Sequence, residues 1–260
     1  MKRVALCFSG QLRCHAKLLE HWIEKFINPI CNHYELTIFF YISKDSYYES
    51  DWNAVYNHYK TLKHVTIVYR TETDKDFSTT LPNIFELEPS GLPRGHNQLI
   101  QEHYFMDSVI KLKKWYERKN GIKFDYVIRT RLDVLPGTFD VTLFNHVHLN
   151  NFCISNHDHH AFVNGRFTIC NSDIADKIFT IIKNYDNTIE QLEKKLFAGE
   201  MLWQAHLSLF TDIELCMIPY FVYLVRDYDL TLDHNGGIFI DGTRIATFQP
   251  DVPIPLNIVP

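Results

Sequence analysis

The chain has 260 residues, is 46% hydrophobic and carries a formal net charge of −5. That is enough apolar content for one large core, which excludes a disordered chain, and an acidic balance offers no broad basic face to nucleic acid. No apolar run nears the roughly 20 residues that cross a bilayer, and the run Val4 to Phe8 is too brief for a signal peptide, so the expected place is the cytoplasm.

In chain order, Arg3 to Phe8 is a continuous apolar strand, followed by the turn Ser9-Gly10-Gln11. His15 to Ile27 has helical spacing through Leu18, Leu19, Trp22, Ile23 and Phe26, and Pro29 is expected to close it. Leu36 to Ile42 reads as a second buried strand, Asp51 to Leu62 as a helix with Trp52, Val55, Tyr56 and Tyr59 on one side, and Val65 to Tyr69 as a third strand. Thr71 to Arg94 is polar, holds Pro82, Pro89, Gly91 and Pro93, and reads as a long functional loop. A helix from about Asn97 to Lys119 follows, ended by Gly121. Phe124 to Val134 is then a fourth strand, stopped by Pro136-Gly137.

The second half is less regular. Asn151 to Ser155 and Phe162 to Cys170 read as strands, and Asp173 to Lys183, Thr188 to Leu196 and Glu200 to Leu209 as helices. Leu215 to Leu224 is a strand with Pro219 inside, hence an edge strand or two pieces. Phe248 to Pro260 holds four prolines and is expected to be an extended surface strip. Apolar strands alternating with helices predict an α/β, Rossmann-like three-layer sandwich around a mainly parallel sheet, with ligands bound outside the carboxyl ends of its strands. The six scattered cysteines, with no paired spacing, are expected to be reduced thiols.

The sharpest chemical pattern is Arg129-Thr130-Arg131-Leu132-Asp133. On one extended segment, Arg129, Arg131 and Asp133 share a face by the two-residue period. Two cations and a carboxylate ending a buried strand have no packing rationale. Either Asp133 holds a divalent ion, Mn²⁺ or Mg²⁺, while the arginines face phosphate oxygens, or the group is a strand-end salt bridge. Ser9-Gly10-Gln11-Leu12-Arg13 offers close backbone approach at Gly10 and donors from Ser9, Gln11 and Arg13, though an ordinary strand-to-helix turn explains it equally well.

The pair ALCFSGQLR (Ala5 to Arg13) and FDYVIRTRLDV (Phe124 to Val134), with a long helix before the second, resembles a family of small GT-A glycosyltransferases. These occur in bacterial surface-polysaccharide clusters, including WavE-like lipopolysaccharide-synthesis proteins, and in large DNA viruses. GRFTICNSDIADKIF (Gly165 to Phe179) and GEMLWQAHL (Gly199 to Leu207) are similar to later segments of that family. The resemblance implies a single GT-A-like domain, with residues 1–135 binding a nucleotide-sugar donor and residues 136–260 a glycan acceptor. In such enzymes an Asp-x-Asp segment binds metal and diphosphate; here Arg131 replaces the first aspartate, so only Asp133 carries over as metal ligand. The resemblance also puts Gly10, Gln11, Arg13, Asn97 and Gln101 beside the nucleotide.

An inverting transfer needs a carboxylate base, for which Glu200 and Asp158 are candidates. Glu200 serves equally well as a first-turn acid complementing a helix dipole. The run Asn156-His157-Asp158-His159-His160 reads as an exposed loop; the alternative is a zinc site of a metal-dependent hydrolase. Asp227-Tyr228-Asp229 falls too late in the chain for a donor motif. A non-catalytic nucleotide-binding module is a further alternative.

Overall fold

The computed structural model describes residues 1–13, 15–44, 48–81, 88–89, 95–155, 165–192, 196–197, 199–224, 230–232, 237–240 and 243–247. Strand β1 (Arg3–Gly10) leads to helix α1 (His15–Trp22), which passes through a π turn (Ile23–Ile27) into α2 (Asn28–Cys31). Pro29 therefore does not close the helix as predicted. It sits in the first turn of α2, directly after the π turn, and the Lys25 carbonyl four residues before it accepts from the Phe139 amide at 2.8 Å instead. Then come β2 (Glu35–Ser43), α3 (Tyr48–Lys60), β3 (Val65–Glu72), the two-residue β4 (Glu88–Pro89) and the long α4 (His96–Asn120). Gly121, left-handed at φ 62°, caps α4 as its sequence position predicts.

The expected fourth strand is two strands, β5 (Tyr126–Arg131) and β6 (Val134–Pro136), separated by a turn at Leu132–Asp133. The break lets β6 leave the main sheet and pair antiparallel with β11 (Val222–Leu224). Between them the chain forms β7 (Asn151–Ser155), β8 (Phe167–Cys170), α5 (Ser172–Ile178), α6 (Tyr185–Glu190), β9 (Leu196–Phe197), α7 (Gly199–Ser208) and β10 (Glu214–Ile218). Two of the predicted helices are shorter than expected: α5 gives way to a 3₁₀ turn at Ile181–Asn184, and α6 ends at Glu190. The segment around Pro219 does split into two strands, β10 and β11. A small sheet of β12 (Leu230–Leu232), β13 (Gly237–Ile240) and β14 (Thr243–Thr247) completes the described elements.

The main sheet has seven strands in the order β10-β7-β8-β5-β1-β2-β3. All neighbours pair parallel except at β8, which is antiparallel to both β5 and β7. The first three strands step outward from β1, and the chain then returns through α4 to place β5 on the other side of β1. That reversal is a topological switch point, and it opens a crevice at the carboxyl ends of β1 and β5.

Alternate residues of β1 enter opposite cores. Val4, Leu6 and Phe8 pack with Leu18 and Trp22 of α1 and with Val55 and Tyr59 of α3. Ala5 and Cys7 pack with Ile100 and Val109 of α4, Ile174 of α5 and Trp203 of α7. The sheet is thus covered on both faces, as its continuous apolar strands predict. Among the described residues no helix is long and apolar enough to cross a membrane. Cys7, Cys31, Cys153, Cys170 and Cys216 are free thiols, and Cys14 lies outside the described residues.

Candidate functional site

The crevice is built from the ends of the two strands that flank the switch point. Ser9 of β1 lies opposite Arg131 of β5 in the parallel register. Gly10 follows at φ 113°, a backbone region in which side chains with a Cβ are strained, and no atom stands within 4 Å of where its Cβ would be. The conformation, rather than crowding, therefore requires glycine. Arg13 is left-handed at φ 40°, uncommon outside glycine and a feature that concentrates at functional sites.

Helix α1 holds the Leu132–Asp133 turn in place. His15 Nδ1 donates to the Leu132 carbonyl at 3.0 Å, and Trp22 Nε1 donates to the Val134 carbonyl at 3.0 Å. The Nδ1 proton leaves His15 Nε2 to accept from the Tyr59 hydroxyl at 3.1 Å, as a neutral ring does. Burial lowers the pKa of His15 to about 4, consistent with that state.

Asp133 is 3% exposed and engaged by two guanidinium groups. Arg131 donates from Nε to Oδ1 at 2.7 Å and from Nη2 to Oδ2 at 2.8 Å, and Arg13 Nη1 donates to Oδ2 at 3.1 Å. Arg131 also reaches across to α4, donating from Nη1 to Glu102 Oε1 at 2.6 Å. Burial alone would raise the Asp133 carboxyl, but the charge and hydrogen bonds of Arg131, with the charge of Arg13, outweigh it and hold the group below its ordinary value. Burial likewise opposes the charge on Arg131, while Glu102 and Asp133 carry it well above the ordinary value.

Arg129 lies deeper, at 1% exposure. Its Nη2 donates to Ser9 Oγ at 3.1 Å, its Nη1 donates to the Gly165 carbonyl, and its Nε has no partner among the described residues. Burial pulls its pKa down to about 10. Because Ser9 accepts from Arg129, its own hydroxyl proton is left to donate elsewhere.

These groups line a cleft of about 170 Å³ bounded by Ser9, Gly10, Gln11, Arg13, Arg131 and Asp133, together with Asp74, Gln98, Glu102 and Phe105. Of the residues singled out in the sequence, Ser9, Gly10, Gln11, Arg13, Arg131 and Asp133 thus meet in one place, with Arg129 directly behind Ser9. Asn97 and Gln101 sit beside the cleft instead of lining it. Asn97 Oδ1 accepts from the Phe77 amide at 3.0 Å and Gln101 Oε1 from the Lys75 amide at 2.9 Å, so both anchor the segment that carries Asp74. The α4 residues facing the cleft are Gln98, Glu102 and Phe105, which share a face by their four- and three-residue spacing.

Glu200 lies in the first turn of α7, with its side chain outside the described residues, and Asp158, the His157–His160 run and Asp227–Asp229 lie outside them as well.

The cleft residues do not fit a divalent ion as they stand. Both Asp133 oxygens are taken by guanidinium donors, and among the described residues no group of three or more histidine, cysteine, aspartate or glutamate side chains is placed to hold a metal. The guanidinium groups, by contrast, keep donors that no described residue takes. A guanidinium has five N–H groups. The bonds above use three of those on Arg131; on Arg13, with Nε donating to Gln11 Oε1 at 2.9 Å, two are used.

No protein-family model matches the chain, and no curated protein matches it. Among solved structures it is similar to the apo-form glycosyltransferase GlyE of Streptococcus pneumoniae TIGR4, at 13% identity and a TM-score of 0.44. That likeness covers 84% of this chain but 45% of the other, so the chain spans less than half of GlyE's length.

Proposed function

We propose that the chain is a GT-A-like glycosyltransferase. Residues 1–135 seat a nucleotide-sugar donor, and residues 136–260 shape the site for a glycan or other hydroxyl acceptor. The observation that carries this proposal is the convergence of Ser9, Gly10, Gln11, Arg13 and Arg131 in a cleft at the switch point of the sheet. In open α/β sheets that crevice is where ligands bind, and this set of donors suits phosphate oxygens.

In the transfer, the bond from the anomeric carbon to the diphosphate oxygen breaks, and its electron pair leaves on the diphosphate. The acceptor hydroxyl oxygen bonds to that carbon and gives up its proton to a carboxylate. Negative charge therefore grows on the departing diphosphate, where donors already fixed in position are most effective. The spare N–H groups of Arg13 and Arg131 are those donors. Gly10 admits the phosphates close to the backbone, and the Ser9 hydroxyl and the Gln11 amide add neutral contacts. For an inverting reaction, Glu200 or Asp158 is the proposed proton acceptor.

A thermal-shift screen of UDP-, GDP- and dTDP-sugars tests the proposal, since a ligand bound to the folded state raises the melting temperature by mass action. One nucleotide series is expected to stabilise the protein, and Arg13→Ala to weaken that effect. If no nucleotide sugar shifts the transition, with or without manganese, the donor assignment is wrong. If one binds but no acceptor supports turnover, the chain is a binding module.

A further inference from the structure

We infer, resting on the donor assignment above, that Arg13 and Arg131 stand where a divalent ion would otherwise neutralise the donor diphosphate, so that donor binding needs no metal. Arg131 fills the position of the first carboxylate in an Asp-x-Asp pattern and is itself held by two carboxylates, Asp133 and Glu102. A cation thus already occupies the space between them.

A divalent ion held by two carboxylates has no net charge, and neither do two guanidiniums held by Asp133 and Glu102. Farther out, Asp74 at the cleft wall and Arg129 behind Ser9 add one charge of each sign. The guanidinium pair therefore presents a diphosphate with the same local balance as a metal site.

For a metal to reach Asp133, it would have to displace a two-pronged ion pair whose carboxylate side chain is 4% exposed. Removing one partner of a buried pair leaves an uncompensated charge, and that is strongly unfavourable. A diphosphate asks for no such displacement. It can take the N–H groups that Arg13 and Arg131 leave unused, while Asp133 and Glu102 keep both side chains in their present orientation. The carboxylates then act as positioning groups that aim the guanidiniums, and Asp133 is not a metal ligand.

The test is calorimetric titration of the full chain with UDP, GDP and dTDP, in EDTA and again in manganese chloride. The expected result is that one of these diphosphates binds in EDTA with an affinity within about threefold of that in manganese. Binding more than about threefold tighter in manganese, or seen only there, overturns the inference and leaves the donor assignment standing. Binding of none of them in either buffer overturns both.

Two variants sharpen the result. Arg13→Ala, at a side chain 27% exposed and outside the two-pronged pair, is expected to lose roughly tenfold in diphosphate affinity in EDTA. Arg131→Asp restores a second carboxylate and is expected to bind diphosphate only when manganese is present. If Arg131→Asp folds, by its unliganded melting transition, and still binds in EDTA like the parent, Arg131 does not do the work assigned to it.

Discussion

Replacing Asp133 by alanine removes the acceptor of three guanidinium hydrogen bonds, at 2.7, 2.8 and 3.1 Å, from a site that is 3% exposed. Deleting one member of a buried ion pair costs about 3–5 kcal/mol, mostly because the remaining charge is stranded. Arg131 keeps Glu102 at 2.6 Å, so the low end applies, about 3 kcal/mol. For a chain of this size that lowers the melting temperature by roughly 6–12 °C. The informative assay is a double-mutant cycle in urea with Asp133→Ala, Arg131→Ala and the double variant. Once both partners are gone, little is left stranded, so the double variant is expected to lose clearly less than the two single losses together, by about 2 kcal/mol. Additive losses, within about 0.5 kcal/mol, would show that the pair is not coupled and would refute the description of the turn.

Two further outcomes follow from the burial of ionisable groups. Lys113 is fully buried, with Nζ 3.0 Å from Glu117 Oε2 and 2.7 Å from Asp176 Oδ1, so Lys113→Met takes the buried cation from two carboxylates between α4 and α5, leaving Asp176 to Lys114 at 3.3 Å and Glu117 to the Ser172 hydroxyl and the Phe124 amide. A loss of about 3 kcal/mol by urea titration is expected, and a variant within about 0.5 kcal/mol of the parent would contradict it. His15, His103 and His206 each have a pKa lowered to about 4, chiefly by burial. The unfolded chain binds these protons first, near pH 6.5, so the stability they confer is full above that pH and is lost as pH falls from 6.5 through 4. Each site accounts for about 3 kcal/mol across that window, and an unfolding midpoint unchanged between pH 7 and pH 4.5 would contradict the assignment.

Much of the first half of the chain was legible because its signals are local. Continuous apolar runs placed β1, β2 and β3, and Gly121 marked the end of α4 at the residue where the left-handed cap occurs. The turn at Leu132–Asp133 carries no such signal. It breaks the strand without glycine or proline, and what holds it is His15 and Trp22, more than a hundred residues earlier in the chain. The reversal of β8 was equally hidden, since hydropathy marks a buried strand without giving its direction. On α4, polar residues such as Gln101, His103 and Asp107 are themselves buried, so polarity does not reveal which face meets the cleft. A rotation of about 100° per residue is enough to separate Asn97 and Gln101 from Gln98 and Glu102. Arg131 and Asp133 do come together, through the turn rather than by sharing the face of a single strand.

The most direct measurement is a crystal structure of the chain soaked with whichever nucleoside diphosphate raises its melting temperature. Diphosphate density is expected between Gly10 and the guanidiniums of Arg13 and Arg131, with Asp133 still bonded to Arg131. Diphosphate bound elsewhere on the molecule, or a cation seated between Asp133 and the phosphates, would contradict it.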